Sequence, residues 1–468
     1  MTLPAPQAPD WLDAGRIRSA LARNAAEDNK RVAEVLTKAR ELKGLDLDDV
    51  AVLAALTRPD LIEEMYATAK QIKEAIYGRR MVFFAPLYIS NRCSNECLYC
   101  AFRASNKALV RHTLSQKEIA RETEILISQG HKRVLMVAGE SYAAAGGFGY
   151  VLDSIATIYS VQKGAGAIRR VNANLAPLTI EEFRALHGAG IGTYQLFQET
   201  YDREVYAATH PKGRKADFDW RVTAFDRAMT AGIDDVGMGI LFGLADWRFE
   251  ILALISHIAH LEERFGVGCH TISVPRMEPA SGSDMATCPP QPVSDEDFKK
   301  LVAILRLAVP YTGLIMSTRE NAEMRRETYA LGVSQISAGS RTNPGGYADE
   351  QRFESGQFQL GDHRSLEEVV QDIAQMGYIP SFCTACYRVG RTGGDFMDLA
   401  KTGEIKEKCG PNAVGTFLEY LLDYSGPATL AAGEKAIAAE IAAMDTKDGR
   451  VAQRLADMVR AGKRDVFC

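Results

Sequence analysis

The sequence predicts an α/β protein centred on a (β/α)8 barrel of the TIM type, with a helical layer before it and a mostly helical module after it. Three observations carry this reading. Between residues 81 and 378, short β-like runs alternate with amphipathic helical segments, which implies parallel strands joined by crossover helices. The runs number eight, which favours closure into a barrel over an open doubly wound sheet. The length, 468 residues, exceeds the usual single core, yet a barrel with insertions accommodates it as one core.

The elements follow in order. From Asp10 to about Arg80, apolar residues recur at helical spacing through Val32, Val35, Leu36 and Leu42, then Val50, Leu53, Leu56 and Leu61. Residues 1–80 are therefore expected to wrap the barrel as helices. The predicted strands are Phe84–Ser90, Arg133–Ala138, Arg170–Leu175, Thr193–Gln198, Asp235–Phe242, His270–Pro275, Gly313–Ser317 and Val333–Ser337. Predicted helices between them include Gln116–Ser128, Ile180–His187, Phe218–Thr230, Arg248–Arg264, Asp295–Leu307 and Arg319–Ala330. The Gly-rich stretch Ala338–Arg364 is too long for a plain connector and reads as a candidate lid. A last barrel helix is expected over Leu366–Met376, and residues 379–468 form the C-terminal module.

Composition narrows the function classes. Hydrophobic residues make up 46% and charged residues 25%, ordinary for a soluble globular protein. With a formal charge of −5 and no basic run, a nucleic-acid or anionic-membrane partner has no electrostatic support. Met1–Gly15 holds three prolines and no apolar signal-peptide core, and no apolar stretch approaches membrane-spanning length. The expected location is cytoplasmic. Cysteines there are read first as metal ligands or catalytic thiols, and nine of them, an odd number, argue against a disulfide framework.

Six of the nine fall into two trios. The first, Cys93-x3-Cys97-x2-Cys100, follows the first strand and so sits at the C-terminal mouth, where barrel enzymes place their chemistry. Three thiolates this close cannot complete a tetrahedral zinc site without a distant fourth ligand. They can hold three irons of a 4Fe–4S cube and leave the fourth open for a small molecule. A structural zinc loop or plain reactive thiols are the bland alternatives.

This pattern after a first strand resembles the radical S-adenosylmethionine (SAM) superfamily. The resemblance implies a SAM-cleaving 4Fe–4S cluster on Cys93, Cys97 and Cys100, whose open iron binds the amino and carboxylate groups of SAM. It also implies a SAM site in which Tyr99 lies near the adenine and Gly139-Glu140, ending the second strand, orients the methionine amino group. Ala138 stands where the family's motif has a further glycine. Asn174, Gln198 and Glu199, at the ends of strands three and four, are candidates for ribose or methionine contacts; each could equally be a simple cap.

The second trio is Cys383-x2-Cys386-x22-Cys409. A Cys-x-x-Cys pair has zinc, redox and cluster readings, and the third cysteine without an obvious fourth ligand favours a second Fe–S cluster. Because each crossover helix runs antiparallel to its strand, the chain after the eighth helix emerges at the opposite mouth. The second cluster is thus expected to cap that mouth, with the barrel lumen as a conduit between the two. His270, at the start of strand six, would lie near the same mouth and is a candidate ligand to an extra iron; the plain alternative is a satisfied core histidine. Cys269 and Cys288 read as core residues.

With both trios in hand the sequence resembles HydG, a family of radical SAM tyrosine lyases that help to mature FeFe hydrogenase. The resemblance runs through Arg169–Pro177, Tyr194–Tyr201, Ala231–Gly237 and His270–Pro275, and is most specific in the run Cys383–Arg388. It implies cleavage of the Cα–Cβ bond of L-tyrosine to p-cresol and dehydroglycine, then carbon monoxide and cyanide. An iron carbonyl cyanide unit would form at an auxiliary cluster of 4Fe–4S or five-iron type, with a bound L-cysteine. Ser317 and Arg319, after strand seven, would hold the tyrosine, with Arg341 as the competing carboxylate clamp. The implied partners are a reductant such as ferredoxin or flavodoxin and other hydrogenase maturation proteins. A tyrosine lyase of thiazole synthesis, which lacks the last trio, and a non-catalytic Fe–S carrier are the alternatives.

Overall fold

The computed structural model describes residues 10–142, 146–349 and 356–468. Four helices come first, Ala14–Arg23, Asn29–Ala39, Leu47–Ala54 and Pro59–Tyr77, each with one apolar face turned inward. Asp13, Asp28 and Asp46 cap the first three by accepting from backbone N–H groups of the first turn. Pro59 opens the fourth at a position where its missing N–H costs nothing.

Eight strands then close a parallel barrel: β1 Arg80–Ser90, β2 Arg133–Ala138, β3 Arg170–Asn174, β4 Tyr194–Glu199, β5 Val236–Ile240, β6 Thr271–Ser273, β7 Gly313–Met316 and β8 Val333–Ser337. Each pairs with its sequence neighbours, and β8 returns to β1 through Val82↔Gln335, Phe83↔Ile336 and Phe84↔Ser337. All eight predicted strands are present, with ends shifted by at most a few residues. The helix expected over Phe218–Thr230 is broken at Thr223 into Phe218–Val222 and Ala224–Thr230. A small antiparallel pair, Gln162–Lys163 with Gly166–Ala167, precedes β3.

A ninth strand, β9 Ile379–Ser381, lies parallel to β1 outside the ring, through Arg80↔Ile379 and Val82↔Ser381. The chain placed by sequence at the start of the C-terminal module is thus hydrogen-bonded into the barrel sheet. The module continues through helices Ala385–Arg388, Gly393–Thr402, Ile405–Tyr424, Pro427–Ala443 and Thr446–Arg460. A buried ion pair of Lys132 with Glu419 ties the start of β2 to the long helix that carries Cys409. Glu419 also accepts from the backbone N–H groups of Asp465 and Val466, so one carboxylate anchors both barrel and tail. One contiguous apolar core runs from Ile17 to Val466, and a second, smaller cluster lines the C-terminal mouth. Among the described residues no helix is long and apolar enough to cross a membrane.

Candidate functional site

The first trio lies in the loop after β1, and a single cavity at the C-terminal mouth is lined by Cys93, Cys97 and Cys100. Tyr99, Gly139, Glu140, Asn174, Glu199, Ser317 and Arg319 line the same cavity, so most of the sequence-derived candidates for this mouth are brought together. Gly139 is required by a close approach. A Cβ there would stand 2.4 Å from the Arg92 carbonyl oxygen and 3.3 Å from the Cys93 Cβ. Glu140 fixes the cysteine loop from the other side. Its carbonyl accepts from the Ser94 N–H at 3.1 Å, and its carboxylate accepts from Asn95 Nδ2 at 2.5 Å.

A polar chain immobilises Tyr99. Lys215 Nζ donates to the Tyr99 hydroxyl at 2.9 Å, and that hydroxyl lies 2.9 Å from His210 Nε2. Burial, then the Lys215 charge, lowers the His210 pKa to about 3, so its ring is neutral and Nε2 can accept. Lys215 also holds Glu199 at 2.5 Å, with Arg221 at 3.6 Å. Burial acts to raise the Glu199 pKa, but Lys215 and then Arg221 keep it below its usual value, so Glu199 is an anion. Its φ of 73° is left-handed, rare for a residue with a Cβ, and coincides with a register shift between Phe197 and Glu199. The irregularity turns Glu199 into the cavity.

It also explains a correction. Gln198 is buried outside the cavity lining, with Nε2 3.4 Å from the Thr200 carbonyl, and does not face the site expected of it. Arg341 likewise lies outside the lining, although its neighbours Ser340 and Thr342 belong to it; its Nη1 donates to the Ser340 carbonyl at 3.1 Å. Arg319 does reach the cavity and stacks over the Phe358 ring at 3.3 Å. Its guanidinium has no hydrogen-bond or ion-pair partner among the described residues. Phe358 and Gln357 come from the predicted lid; Gln357 Nε2 lies 3.6 Å from Cys100 Sγ, while residues 350–355 of that stretch lie outside the described residues.

The second trio gathers at the opposite mouth. A cavity there is lined by Cys383, Cys386 and Cys409 with His270 and three arginines from the starts of β1, β2 and β3, the half-buried Arg80 and the buried Arg133 and Arg170. Arg133 donates to the Cys383 carbonyl at 2.9 Å, while Arg80 Nε and Arg170 Nη1 are buried without a hydrogen-bond partner among the described residues. Burial holds the His270 pKa far below its usual value, reinforced by Arg170, Arg133 and Arg80, so a lone pair is free on a neutral ring. Gly393 opens the next helix with Thr392 at its N-cap, and Asp395 lies in its first turn.

The thiols suit bound iron better than an empty site. Burial pushes Cys97 up to about 12 and Cys383 up to about 11, and a cationic cluster would stabilise them as thiolates. Hydrogen bonding from Cys386 lowers Cys409, aided by Arg80, Arg391 and Arg133. Among the described residues no three His, Cys, Asp or Glu side chains converge on one point for a single ion. A cube, with one thiolate per corner iron, asks instead for thiolates spread around a volume. Cys269 is fully buried as expected, whereas Cys288 is exposed and not part of the core.

The two cavities share no lining residue. Between the mouths, Gln195, Thr271 and Gln335 pack beside glycines of neighbouring strands: a Cβ on Gly237 would meet Thr271 Oγ1 at 2.6 Å and Gln195 Cγ at 2.7 Å, and one on Gly313 would meet Gln335 Nε2 at 2.7 Å. Barrel interiors are layered side chains rather than pores, and here the layer between the mouths is polar. Sequence reasoning missed Lys215, Arg221, His210, Glu278 and the three lower arginines, because isolated polar residues in loops, in a short helix or at strand starts carry no spacing signal.

Comparison with known proteins supplies the family. The Radical SAM superfamily matches residues 87–254, and the Biotin and Thiamin Synthesis associated domain matches residues 273–379. The 2-iminoacetate synthase of Salmonella typhimurium is 33% identical over 356 residues, 75% of this chain and 90% of its own. A crystal structure of HydG, a maturase of the [FeFe]-hydrogenase, aligns with a TM-score of 0.94 at 47% identity, over 98% of this chain and 100% of that one. HydG from Carboxydothermus hydrogenoformans, an FeFe-hydrogenase maturase, aligns with a TM-score of 0.83 at 39% identity, over 94% and 97%.

Proposed function

The chain belongs to the HydG family within the radical SAM superfamily, and on that premise we propose that it cleaves L-tyrosine at the upper mouth and assembles an iron carbonyl cyanide unit at the lower. The observation that supports this most strongly is the placing of two cysteine trios at opposite mouths of one barrel, each among groups suited to a cluster. When bound at Cys93, Cys97 and Cys100, a 4Fe–4S cluster would supply the electron that splits SAM. At Cys383, Cys386 and Cys409, a cluster would supply an anchor for the iron being loaded with carbon monoxide and cyanide.

The chain's own residues position and protect the reactants. Glu140 and Gly139 hold the cysteine loop against the end of β2, which sets where the methionine end of SAM rests. Tyr99, locked by Lys215 and His210, offers a flat wall for the adenine, and Glu199 offers a carboxylate for ribose hydroxyls. Arg319, unpaired and stacked on Phe358, suits the substrate carboxylate, with Ser317 beside it. Neutral His270 suits the iron that is the lower site's cargo, with L-cysteine as a further ligand. A one-electron reductant of ferredoxin or flavodoxin type and other hydrogenase maturation proteins are the proposed partners.

The test is product analysis under anaerobic conditions, with SAM, reductant and tyrosine. The proposal expects p-cresol together with carbon monoxide and cyanide, and a Cys386→Ala variant that keeps p-cresol while losing the diatomic products. The likeness to 2-iminoacetate synthase favours one second reading, a tyrosine lyase that releases dehydroglycine itself. Unchanged diatomic output from the variant would defeat the role given to the lower trio. p-Cresol without diatomic products in the wild type would favour the second reading.

A further inference from the structure

Three carboxylates line the upper cavity: Glu140, Glu199 and Glu278. Two are engaged. Glu140 accepts from Asn95, and Glu199 is held by Lys215 and Arg221. Glu278 makes no hydrogen bond or ion pair among the described residues. The guanidinium nearest to it in sequence, Arg276, turns away to Glu320 and Asp295. The loop that carries Glu278 is pinned on both sides: the Met277 N–H donates to the Phe242 carbonyl at 2.8 Å, and the Pro279 carbonyl accepts from the Gln359 N–H at 2.8 Å. Its carboxyl is therefore presented to the cavity by a fixed backbone.

Arg319 is the matching half. It lines the same cavity, lacks an acidic partner, and is near enough for its charge and that of Glu278 to influence each other, yet the two are not within ion-pair distance. A cavity that keeps one unpaired cation and one unpaired anion apart is complementary to a zwitterion. We infer that Glu278 binds the amino group of the amino-acid substrate while Arg319 binds its carboxylate, and that Glu278 takes a proton from the substrate ammonium. The inference rests on the tyrosine-cleaving reading above. In the step proposed, an N–H bond of the ammonium breaks, its electron pair stays on nitrogen, and the proton passes to a Glu278 oxygen. The products are a neutral amine and a carboxylic acid, and no electron changes hands.

Electrostatics suit the exchange. Burial, with help from Glu320, pushes the Glu278 carboxyl up to about 6, against the opposing charges of Arg319 and Arg276. A base tuned this close to neutrality is matched to giving and taking protons at working pH.

The experiment uses the cluster-loaded enzyme and compares L-tyrosine with its desamino analogue, 3-(4-hydroxyphenyl)propanoate, in wild type, Glu278→Gln and Glu278→Asp. Binding is read from the change each ligand causes in the paramagnetic signal of the reduced, SAM-bound protein, and p-cresol formation is followed from pH 5 to 8. Wild type should bind tyrosine more tightly as pH rises through 6; Glu278→Gln should abolish that rise, weaken tyrosine binding at least tenfold, and leave the analogue and SAM unaffected. Glu278→Asp should restore part of both. A wild type that binds the two ligands within a few-fold of each other would overturn the inference without any variant. So would equal losses for tyrosine and analogue, or a loss of SAM binding alone. A wild type that makes p-cresol while Glu278→Gln keeps its KM and pH profile overturns the inference only; a wild type that binds no tyrosine overturns the underlying reading as well.

Discussion

Replacing Gly139 by alanine tests how the cysteine loop is held. The added Cβ would lie 2.4 Å from the Arg92 carbonyl oxygen and 2.9 Å from its carbon, whereas ordinary contact begins at 3.4 Å. The obstacle is backbone, so relief requires the two segments to part by about 1 Å, and the residue carried along is Cys93. Overpacking of this kind costs about 1–3 kcal/mol. A domain with about 5–15 kcal/mol in hand stays folded. The damage is therefore local, and a displacement of about 1 Å at a reactive centre costs on the order of 100-fold in rate. The assay measures iron per chain, the paramagnetic signal of the reduced protein and the rate of SAM conversion to 5′-deoxyadenosine. Gly394→Ala is the control, since a Cβ there meets nothing within 4 Å and sits in the first turn of a helix. Gly139→Ala should lose SAM cleavage by about 100-fold while keeping the signal of the lower site, and Gly394→Ala should match wild type. A Gly139→Ala protein with normal SAM cleavage would refute the reasoning.

Two further outcomes follow from the same electrostatics. Lys215→Met removes the ammonium 2.5 Å from Glu199 and 2.9 Å from the Tyr99 hydroxyl, leaving Arg221 at 3.6 Å; about 1–3 kcal/mol of the usual penalty for breaking a buried pair should appear as roughly 5- to 150-fold weaker SAM binding, read by equilibrium titration. Glu250, buried and accepting from the Thr200 hydroxyl and the Tyr201 N–H, has its pKa raised to about 8, chiefly by burial. The folded state then holds a proton that the unfolded state releases. Its contribution to stability is fully present below about pH 4.5 and is lost as pH rises toward 8, by about 3 kcal/mol between pH 5 and 8. Thermal melts of Glu250→Gln should therefore show a shallower decline over that range, and parallel curves would contradict it.

Much of this was legible in the residues. Strands Arg133–Ala138 and Val333–Ser337 and helix Gln116–Ser128 appear with the predicted ends, because runs of β-branched residues and the Ser115–Glu118 capping box mark them locally. β9 escaped notice because three residues containing a proline carry no periodicity. The cysteine trios were visible as spacing. The groups that surround them were not, since Lys215, Arg221 and Glu278 reach the cavity only through the barrel's closure. Gln198 was misplaced because its assignment rested on its place at a strand end, and the irregular turn at Glu199 leaves Glu199 rather than Gln198 in the cavity. Nor does the sequence show how Gln195, Thr271 and Gln335 pack beside the strand glycines Gly237 and Gly313.

The central claim is a two-cluster barrel in which only the upper cluster meets SAM. Its most direct test is iron content with paramagnetic resonance of the anaerobically reduced protein, wild type beside a Cys383→Ala/Cys386→Ala double variant. Two signals are expected in the wild type and one in the variant, with the surviving signal alone responding to SAM. One signal in both proteins, with zinc bound in the wild type, would contradict it.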